Sequence, residues 1–388
     1  MKSLIRSILP QWVINYFWHL PKAILANILY GFPSLSLKVI GITGTDGKTT
    51  TTNMVYQLLR DAGKSVSMIS TIDSPGFHVT SPDPFIIQKF AKDAKDKGDE
   101  YLVLEVTSHA LDQFRFWGIK FDIGVITNIT HEHLDYHQTF ESYKNAKLKL
   151  LKNVKFAVLN NNISYVRRNV ITFGIRQGDV NQEKFKLKLK IPGDYNIENA
   201  LATLAVSSVL GIDQGRAKKS IENFNNLSGR MEEVKNSKGI KIFIDFAHTP
   251  NGLKQSLKSL RSHLKSGRLI SLIGCEGFRD EQKRVMMGGI SGKLGDYTII
   301  TSVDPRGQLE TINKQIITGA KKAGAIVDQN LFVIDDREKA IAFAINKLSK
   351  KGDVVGIFGK GHESSMNLDG KAEIPWSDLA IVQKILNG

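Results

Sequence analysis

From Leu37 onward, short unbroken apolar runs alternate with longer segments whose apolar residues return every three or four positions. Runs rich in β-branched residues at 38–42, 101–106, 121–126 and 156–159 predict strands buried on both faces. The segments 49–62 and 143–151 lie among them with helical spacing. A second series starts near Lys241, with strands expected at 242–245, 269–273, 297–301, 331–334 and 354–358 and lysine-bearing helices between them. Strand–helix alternation of this kind implies an α/β fold with mainly parallel sheets covered by helices. The strongly apolar helix expected at 196–210 closes the first series, and 223–228 reads as a linker. No internal repeat or low-complexity tract interrupts the pattern.

The N-terminal segment has a different pattern. Ile5, Ile8, Leu9, Trp12, Val13, Tyr16, Phe17 and Leu20 recur at helical spacing, with Arg6, Gln11, Asn15 and His19 elsewhere on the wheel. Pro21 punctuates, and Ile24, Leu25, Ile28 and Leu29 form a second short apolar face. Pro10, Gln11, Asn15, His19, Pro21 and Asn27 suit a spanning helix poorly, and no small-residue cleavage site follows. The preferred reading is a pair of amphipathic helices, residues 1 to about 32, held at an anionic membrane surface. Docking on the protein body and a true span remain as alternatives.

Composition narrows the function. At 388 residues the chain is long enough for two or three domains. The single cysteine, Cys275, excludes an intramolecular disulfide and a cysteine-based zinc site, which fits a reducing cytosol. The net charge of +15 suits an anionic substrate such as a nucleotide, or an acidic membrane; lysine-rich surface helices alone would also account for it. The basic residues are scattered without an aromatic-basic stripe, so no nucleic-acid partner is expected.

The sharpest chemical signal is Gly41-Ile42-Thr43-Gly44-Thr45-Asp46-Gly47-Lys48-Thr49-Thr50, which follows a predicted strand and opens a predicted helix. In that setting backbone N–H groups and the helix N-terminus cradle phosphates. Lys48 would reach the β- and γ-phosphates, and the Thr49 or Thr50 hydroxyl would hold Mg²⁺. The glycine spacing is one residue longer than the common P-loop.

Further segments give the loop a context: Glu105-Val106-Thr107-Ser108-His109-Ala110-Leu111, Thr127-Asn128 with His133-Leu134-Asp135, Asp245-Phe246-Ala247-His248-Thr249-Pro250, Gly229-Arg230-Met231-Glu232 and Gly359-Lys360-Gly361-His362-Glu363. With the glycine-rich loop, these resemble the Mur ligase family over residues 38–388. The resemblance is strongest to the type that adds the third residue of the peptidoglycan stem peptide, the tripeptide synthetases. It implies a central P-loop-type parallel-sheet ATPase domain (37–226) and a Rossmann-like C-terminal α/β domain (227–388), after an apolar helical extension (1–36). It also implies a cytoplasmic ligase that uses ATP, activates a carboxylate as an acyl phosphate, and closes its C-terminal domain to deliver an amine. Such chains usually begin with a domain that grips a uridine nucleotide. The few residues before the first strand are too short for that fold, which leaves open whether the acceptor is nucleotide- or lipid-linked.

Residue by residue, the resemblance assigns catalysis to Lys48, Glu105, Asn128, His133 and Lys147. Thr49, Glu105, His133 and Lys147 would serve two Mg²⁺ ions, with Lys147 carrying a CO₂-derived carbamate. ATP would be held by Gly44, Thr45, Asp46, Gly47, Lys48, Thr49 and Thr50, with Asn199 near adenine, Asp245 at the ribose, and Arg230 and His248 near the phosphates. For Asn199, a helix-capping role is the alternative. Thr80, Ser81, Thr107, Ser108, Gln113 and Arg115 match positions that bind the muramoyl-peptide acceptor. Arg284, Asp304, Arg306, Gly359 and Glu363 match the set that selects meso-diaminopimelate. Two departures bear on that choice: the usual Asp-Asn-Pro-Arg reads Val303-Asp304-Pro305-Arg306, and Gly-Cys-Gly-Gly reads Gly274-Cys275-Glu276-Gly277.

Three rivals are weighed. A folylpolyglutamate synthase or a lipid-linked cell-wall ligase would share the fold; the first disagrees with 105–111 and 359–363, and lipid-linked relatives with a four-cysteine zinc insert disagree with the lone cysteine. A non-catalytic scaffold would have lost Lys48, Glu105, His133 or Lys147, and all four are present. A P-loop nucleic-acid ATPase would need a basic groove.

Overall fold

The structure, a computed structural model, describes residues 9–72, 80–264 and 266–387. It groups into two compact units. One comprises residues up to Thr130 with Tyr136–Lys190 and Tyr195–Phe224; the other comprises His131–Asp135, Ile191–Asp194 and residues from Asn225 onward.

The first unit is built on a seven-stranded parallel sheet. Its strands are β1 (Lys38–Thr43), β2 (Val66–Ile69), β3 (Tyr101–Glu105), β4 (Phe121–Ile126), β5 (Phe156–Asn160), β6 (Val170–Gly174) and β7 (Val180–Asn181). Their order is β2-β3-β1-β4-β5-β6-β7. The chain fills one side of β1 first and then crosses to the other. This reversal opens a crevice at the carboxyl ends of β1, β3 and β4, where such sheets bind ligands. Leu102, Val103 and Leu104 of β3 and Val39 and Ile40 of β1 are wholly buried, as unbroken apolar runs require. Each buried aliphatic side chain stabilises the sheet by about 1.5–3 kcal/mol.

The second unit holds a six-stranded sheet in the order β12-β11-β10-β13-β9-β8. Its strands are β8 (Glu232–Val234), β9 (Lys241–Asp245), β10 (Leu269–Ile273), β11 (Tyr297–Ile300), β12 (Leu331–Val333) and β13 (Val354–Phe358). All neighbours are parallel except the edge strand β8. Arg337 and Asp378 form a fully buried ion pair at 2.7 Å, tying the helix Arg337–Ala342 to Asp378–Asn387.

The expected strands agree with the observed ones to within a residue or so at each end. The helix expected at 143–151 begins earlier, at Phe140, because Thr139 caps it through Ser142 N, and its last turn tightens into a 3₁₀ helix at Lys149–Leu151.

The N-terminal segment departs from the expected helix pair. Gln11–Ile14, Asn15–His19 and Leu20–Tyr30 run on as one continuous helix whose middle turn is a π-helix. Pro21 does not break it. The wider π turn directly before Pro21 relaxes the i−4 register in which its ring would clash. Residues 1–8 of the expected pair lie outside the described residues.

Candidate active site

The glycine-rich loop leaves the buried strand β1 and enters the helix Lys48–Asp61. Two glycines are required by close approach. A Cβ at Gly44 would sit 1.8 Å from Thr127 Oγ1, and one at Gly47, where φ is 81°, would sit 2.2 Å from Asn199 Oδ1. Asn128, which follows β4, holds the loop from both sides: its Oδ1 accepts from Asp46 N at 2.9 Å and its Nδ2 donates to Asp46 O at 3.0 Å. Thr127 Oγ1 donates to the same carbonyl at 2.7 Å. Lys48 Nζ donates to Gly44 O at 3.1 Å and Thr45 O at 2.8 Å, which keeps its charge over the loop. Asn128 therefore acts here as a positioning residue. Asn199 sits within the helix Asp194–Val209 and accepts from Thr51 Oγ1 at 3.3 Å. It packs against the loop and caps no helix.

Glu105 ends β3 and is buried beside the loop. Thr49 Oγ1 donates to its Oε1 at 3.0 Å, Thr71 Oγ1 donates to the same oxygen at 2.9 Å, and Thr71 N donates to Oε2 at 2.8 Å. Hydroxyl and carboxylate oxygens packed at a helix N-terminus are the hard donors that Mg²⁺ takes, so the donor set fits the ion. Among the described residues no three His, Cys, Asp or Glu side chains cluster as a metal site.

Lys147 is buried, with Nζ donating to Gly44 O at 2.6 Å and lying 4.5 Å from the centre of the Tyr143 ring. The Tyr143 hydroxyl shares a 3.0 Å hydrogen bond with Thr45 Oγ1. Lys48, Glu105 and Lys147 are thus brought to one loop. His133, at φ 58°, lies in the segment that groups with the second unit.

The acceptor candidates form a connected set. Ser81 Oγ donates to Glu105 O and accepts from Thr107 N, and Arg115 Nη1 donates to Ser81 O at 2.7 Å. Arg115 Nε and Nη2 both donate to Gln113 Oε1, at 3.0 and 2.7 Å. Thr80 Oγ1 lies 3.1 Å from Thr71 Oγ1, and Thr107 caps the helix Ser108–Asp112. Ser108 Oγ is bonded to His137 Nε2 at 3.1 Å, and burial drives the His137 imidazole down to about 4, leaving it neutral at pH 7.

Thr71, Tyr143 and His137 were not found from sequence. Thr71 has no motif around it, and Tyr143 and His137 face the site only because their helices pack there. The signal available was the Tyr143–Lys147 spacing of four, one helical turn.

In the second unit, Asp245 ends β9 and takes hydrogen bonds from Met231 N, Ala247 N and Ser256 Oγ. Burial raises its carboxyl above the ordinary range, against the pull of Arg230 and these donors. Arg230 lies 4.4 Å from the Phe246 ring centre, and His248 Nδ1 is 3.1 Å from Phe246 O.

The amino-acid candidates divide. Lys360 is buried between two carboxylates, 3.0 Å from Asp304 and 2.6 Å from Glu363. Burial pushes Glu363 up to about 7; Lys360 pulls against this, while Glu276 and Asp304 add to it. Asp304 and Arg306 both hold left-handed backbone, at φ 42° and 50°. Each costs about 1–2 kcal/mol, strain of a kind that collects at functional sites. Arg306 Nη1 donates to Gly277 O at 3.2 Å, and Gly359 N donates to Asp245 O at 3.1 Å. Arg284 is wholly buried, donating to Gln315 Oε1 at 2.8 Å and Glu276 O at 3.2 Å, so it braces the turn after β10. Burial alone would raise the Glu276 carboxyl, but Lys283, His248, Arg279 and Arg306 hold it down at about 2. Sequence reasoning saw Glu276 only as a departure.

Comparisons agree with this layout. Residues 42–207 match the family model of the Mur ligase middle domain, and residues 229–361 match that of the Mur ligase glutamate ligase domain. The chain is 36% identical to the UDP-N-acetylmuramoyl-L-alanyl-D-glutamate–2,6-diaminopimelate ligase of Clostridium botulinum, covering 94% of this chain and 81% of that one. A solved structure of a ligase with the same name superposes with a TM-score of 0.59 at 27% identity, over 90% of this chain and 78% of the other. MurF from Acinetobacter baumannii, at 16% identity, shares the fold with a TM-score of 0.72 over 94% and 81% of the two chains.

Proposed function

The chain belongs to the Mur ligase family, and from that premise we propose that it joins meso-diaminopimelate to the carboxylate of a muramoyl-dipeptide. It is an ATP-dependent acid–amino-acid ligase. The observation that carries the chemistry is the convergence of Lys48 and buried Lys147 on Gly44 O, with Glu105 bonded to Thr49 in the first turn of the following helix; the 36% identity to a 2,6-diaminopimelate ligase supports the choice of amino acid.

In this reading the loop amides and Lys48 hold the phosphates of ATP, while Arg115 and Gln113 hold the acceptor. An acceptor carboxylate oxygen attacks the γ-phosphorus, ADP leaves, and an acyl phosphate forms. The free amine of the amino acid then attacks the acyl carbon, inorganic phosphate leaves and takes up the proton the nitrogen sheds, and an amide remains. Lys48 spreads the charge that gathers on the transferring phosphoryl group. Thr49 and Glu105 would hold one Mg²⁺ and His133 a second, and such ions when bound neutralise phosphate charge. In the second unit Asp245 takes the ribose hydroxyls, Arg230 and His248 the phosphates, and Arg306 the distal carboxylate of the amino acid.

Lys147 adds CO₂ through its neutral amine, giving a carbamate and a released proton. The modified nitrogen keeps one N–H, enough to go on donating to Gly44 O. The step needs the neutral amine, the form that burial favours over the ammonium. The enzyme works in the cytoplasm, with residues 1–32 in peripheral contact with the inner face of the membrane.

Phosphate release with each substrate omitted in turn tests the reading. Turnover should need ATP, a muramoyl-dipeptide acceptor and diaminopimelate together, and equal hydrolysis without acceptor and amino acid would refute it.

A further inference from the structure

The N-terminal helix is docked with its polar side inward. Asn15, Ala23, Ala26 and Asn27 are buried, spaced as one face of a helix whose π turn shifts the register by one residue. Asn15 Nδ2 donates to Asp112 Oδ2 at 2.8 Å, and Asn27 Nδ2 donates to Trp117 O at 2.6 Å and Ala23 O at 2.9 Å. Lys22 pairs with Asp83. The opposite face carries Phe17, Trp18, Leu25, Ile28 and Leu29, with Phe17 75% exposed and Trp18 and Leu29 each 65% exposed. Trp12 and Tyr16 edge it. A helix in contact with water alone is built the other way round, and a contiguous apolar surface of this kind marks an interaction site.

We propose that this face lies flat on an anionic phospholipid surface. Two observations choose lipid over a protein partner. First, the face mixes tryptophan, tyrosine and long aliphatic side chains, the set that settles at the boundary of headgroups and acyl chains. Second, residues 1–45 contain Lys2, Arg6, Lys22 and Lys38 and no Asp or Glu, so the segment adds no carboxylate that would repel an anionic surface, and Lys22 is matched by Asp83. Among the described residues, the two carboxylates the helix touches belong to the protein body and are neutralised, Asp83 by Lys22 and Asp112 by Lys149 at 2.7 Å. No described helix is long and apolar enough to cross a membrane.

Docking bears on the acceptor site. The stretch Asp112–Gly118 holds the helix through Asp112, Trp117, and Phe114, whose ring stands 5.1 Å from that of Tyr16; the same stretch carries Gln113 and Arg115. The candidate acceptor residues therefore sit in the stretch that receives the docked side of the helix. The inference deepens the peripheral contact read above, and vesicle binding, scored without substrates, stands or falls separately from the ligase reading.

The test is co-sedimentation of the full chain with vesicles of phosphatidylcholine containing about a third phosphatidylglycerol, and with pure phosphatidylcholine. The wild type should pellet with the anionic vesicles and much less with the neutral ones, with a blue shift in tryptophan emission, and 0.5 M salt should weaken binding. The triple variant Phe17→Ser, Trp18→Ser, Leu29→Ser changes only exposed positions, so it should keep its circular dichroism spectrum and lose vesicle partitioning by roughly ten-fold or more. Wild-type protein that stays in the supernatant with both vesicles would overturn the proposal. So would a triple variant that binds as well as wild type, or a wild-type dimer in sedimentation velocity that this variant alone dissociates.

Discussion

The hydroxyl of Thr49 donates a 3.0 Å hydrogen bond to the buried carboxylate of Glu105, across 56 residues of chain. The first helical turn after the glycine-rich loop is thereby tied to the end of β3. Thr71 adds two more donors to the same carboxylate, so Glu105 is held from two sides before any ligand arrives.

Removing that anchor should stop the reaction more than it loosens the fold. Glu105→Ala leaves the three donors of Thr49 and Thr71 without an acceptor and removes the carboxylate offered to Mg²⁺. A charged hydrogen bond contributes about 1.5–3 kcal/mol, so kcat should fall roughly 10- to 150-fold from this effect alone. Steady-state phosphate release, with circular dichroism as the control for folding, measures it. A variant with wild-type kcat would remove Glu105 from the site.

Lys147→Ala should lose most turnover, and added acetate or a similar short carboxylate should restore part of it by standing where the carbamate would. The burial of Lys147 and its 2.6 Å bond to Gly44 O motivate this. Wild-type enzyme incubated with ¹³C-bicarbonate should show a carbamate carbon signal that the variant lacks. An alanine variant with full activity, or no signal in the wild type, would count against modification.

The strands were legible because buried parallel strands need unbroken apolar runs, and Leu102 to Leu104 meet that need on both faces. The loop was legible because glycine spacing reports backbone approach, as Gly44 and Gly47 show. Thr71 was not, since a lone threonine acquires its role from the end of β3, which is distant in sequence. The N-terminal helix failed for another reason. Its periodicity is amphipathic, as the sequence implies, but one helix runs through Pro21 where the sequence implies two. Asn15 and Asn27 turn inward because Asp112 and the Trp117 carbonyl offer them partners. Pro21 misled because a π turn relieves the clash that its ring would otherwise cause.

Arg306→Ala should raise KM for diaminopimelate roughly 10- to 150-fold, the loss of about 1.5–3 kcal/mol from a charged contact, while KM for ATP changes little. The left-handed backbone of Arg306 and its single bond to Gly277 O leave the rest of the guanidinium for a carboxylate. Lysine, which lacks the distal carboxylate, should be a poor substrate of the wild type and gain relative standing in the variant. Equal use of lysine and diaminopimelate by the wild type would reject the assignment.

If Glu363 binds the incoming amino acid as proposed, its carboxyl should give that step its own pH dependence. Burial lifts it to about 7, Lys360 at 2.6 Å opposes the lift, and the nearby carboxylates of Glu276 and Asp304 reinforce it. Below pH 7 the group is mostly protonated and neutral; above pH 7 it carries the charge that attracts an ammonium group on the incoming amino acid. KM for the amino acid should therefore fall as pH rises from 6 to 8, with its midpoint near 7, while KM for ATP stays flat across the same interval. In Glu363→Gln the position no longer titrates, so the curve should flatten at a high KM. Lys360 keeps Asp304 as a partner in that variant, at 3.0 Å, which protects the fold of the turn. Initial rates at five or six pH values, for both proteins and both substrates, make the comparison. A wild-type KM that does not move between pH 6 and 8, or an identical slope in Glu363→Gln, would assign the titration elsewhere and take Glu363 out of amino-acid binding.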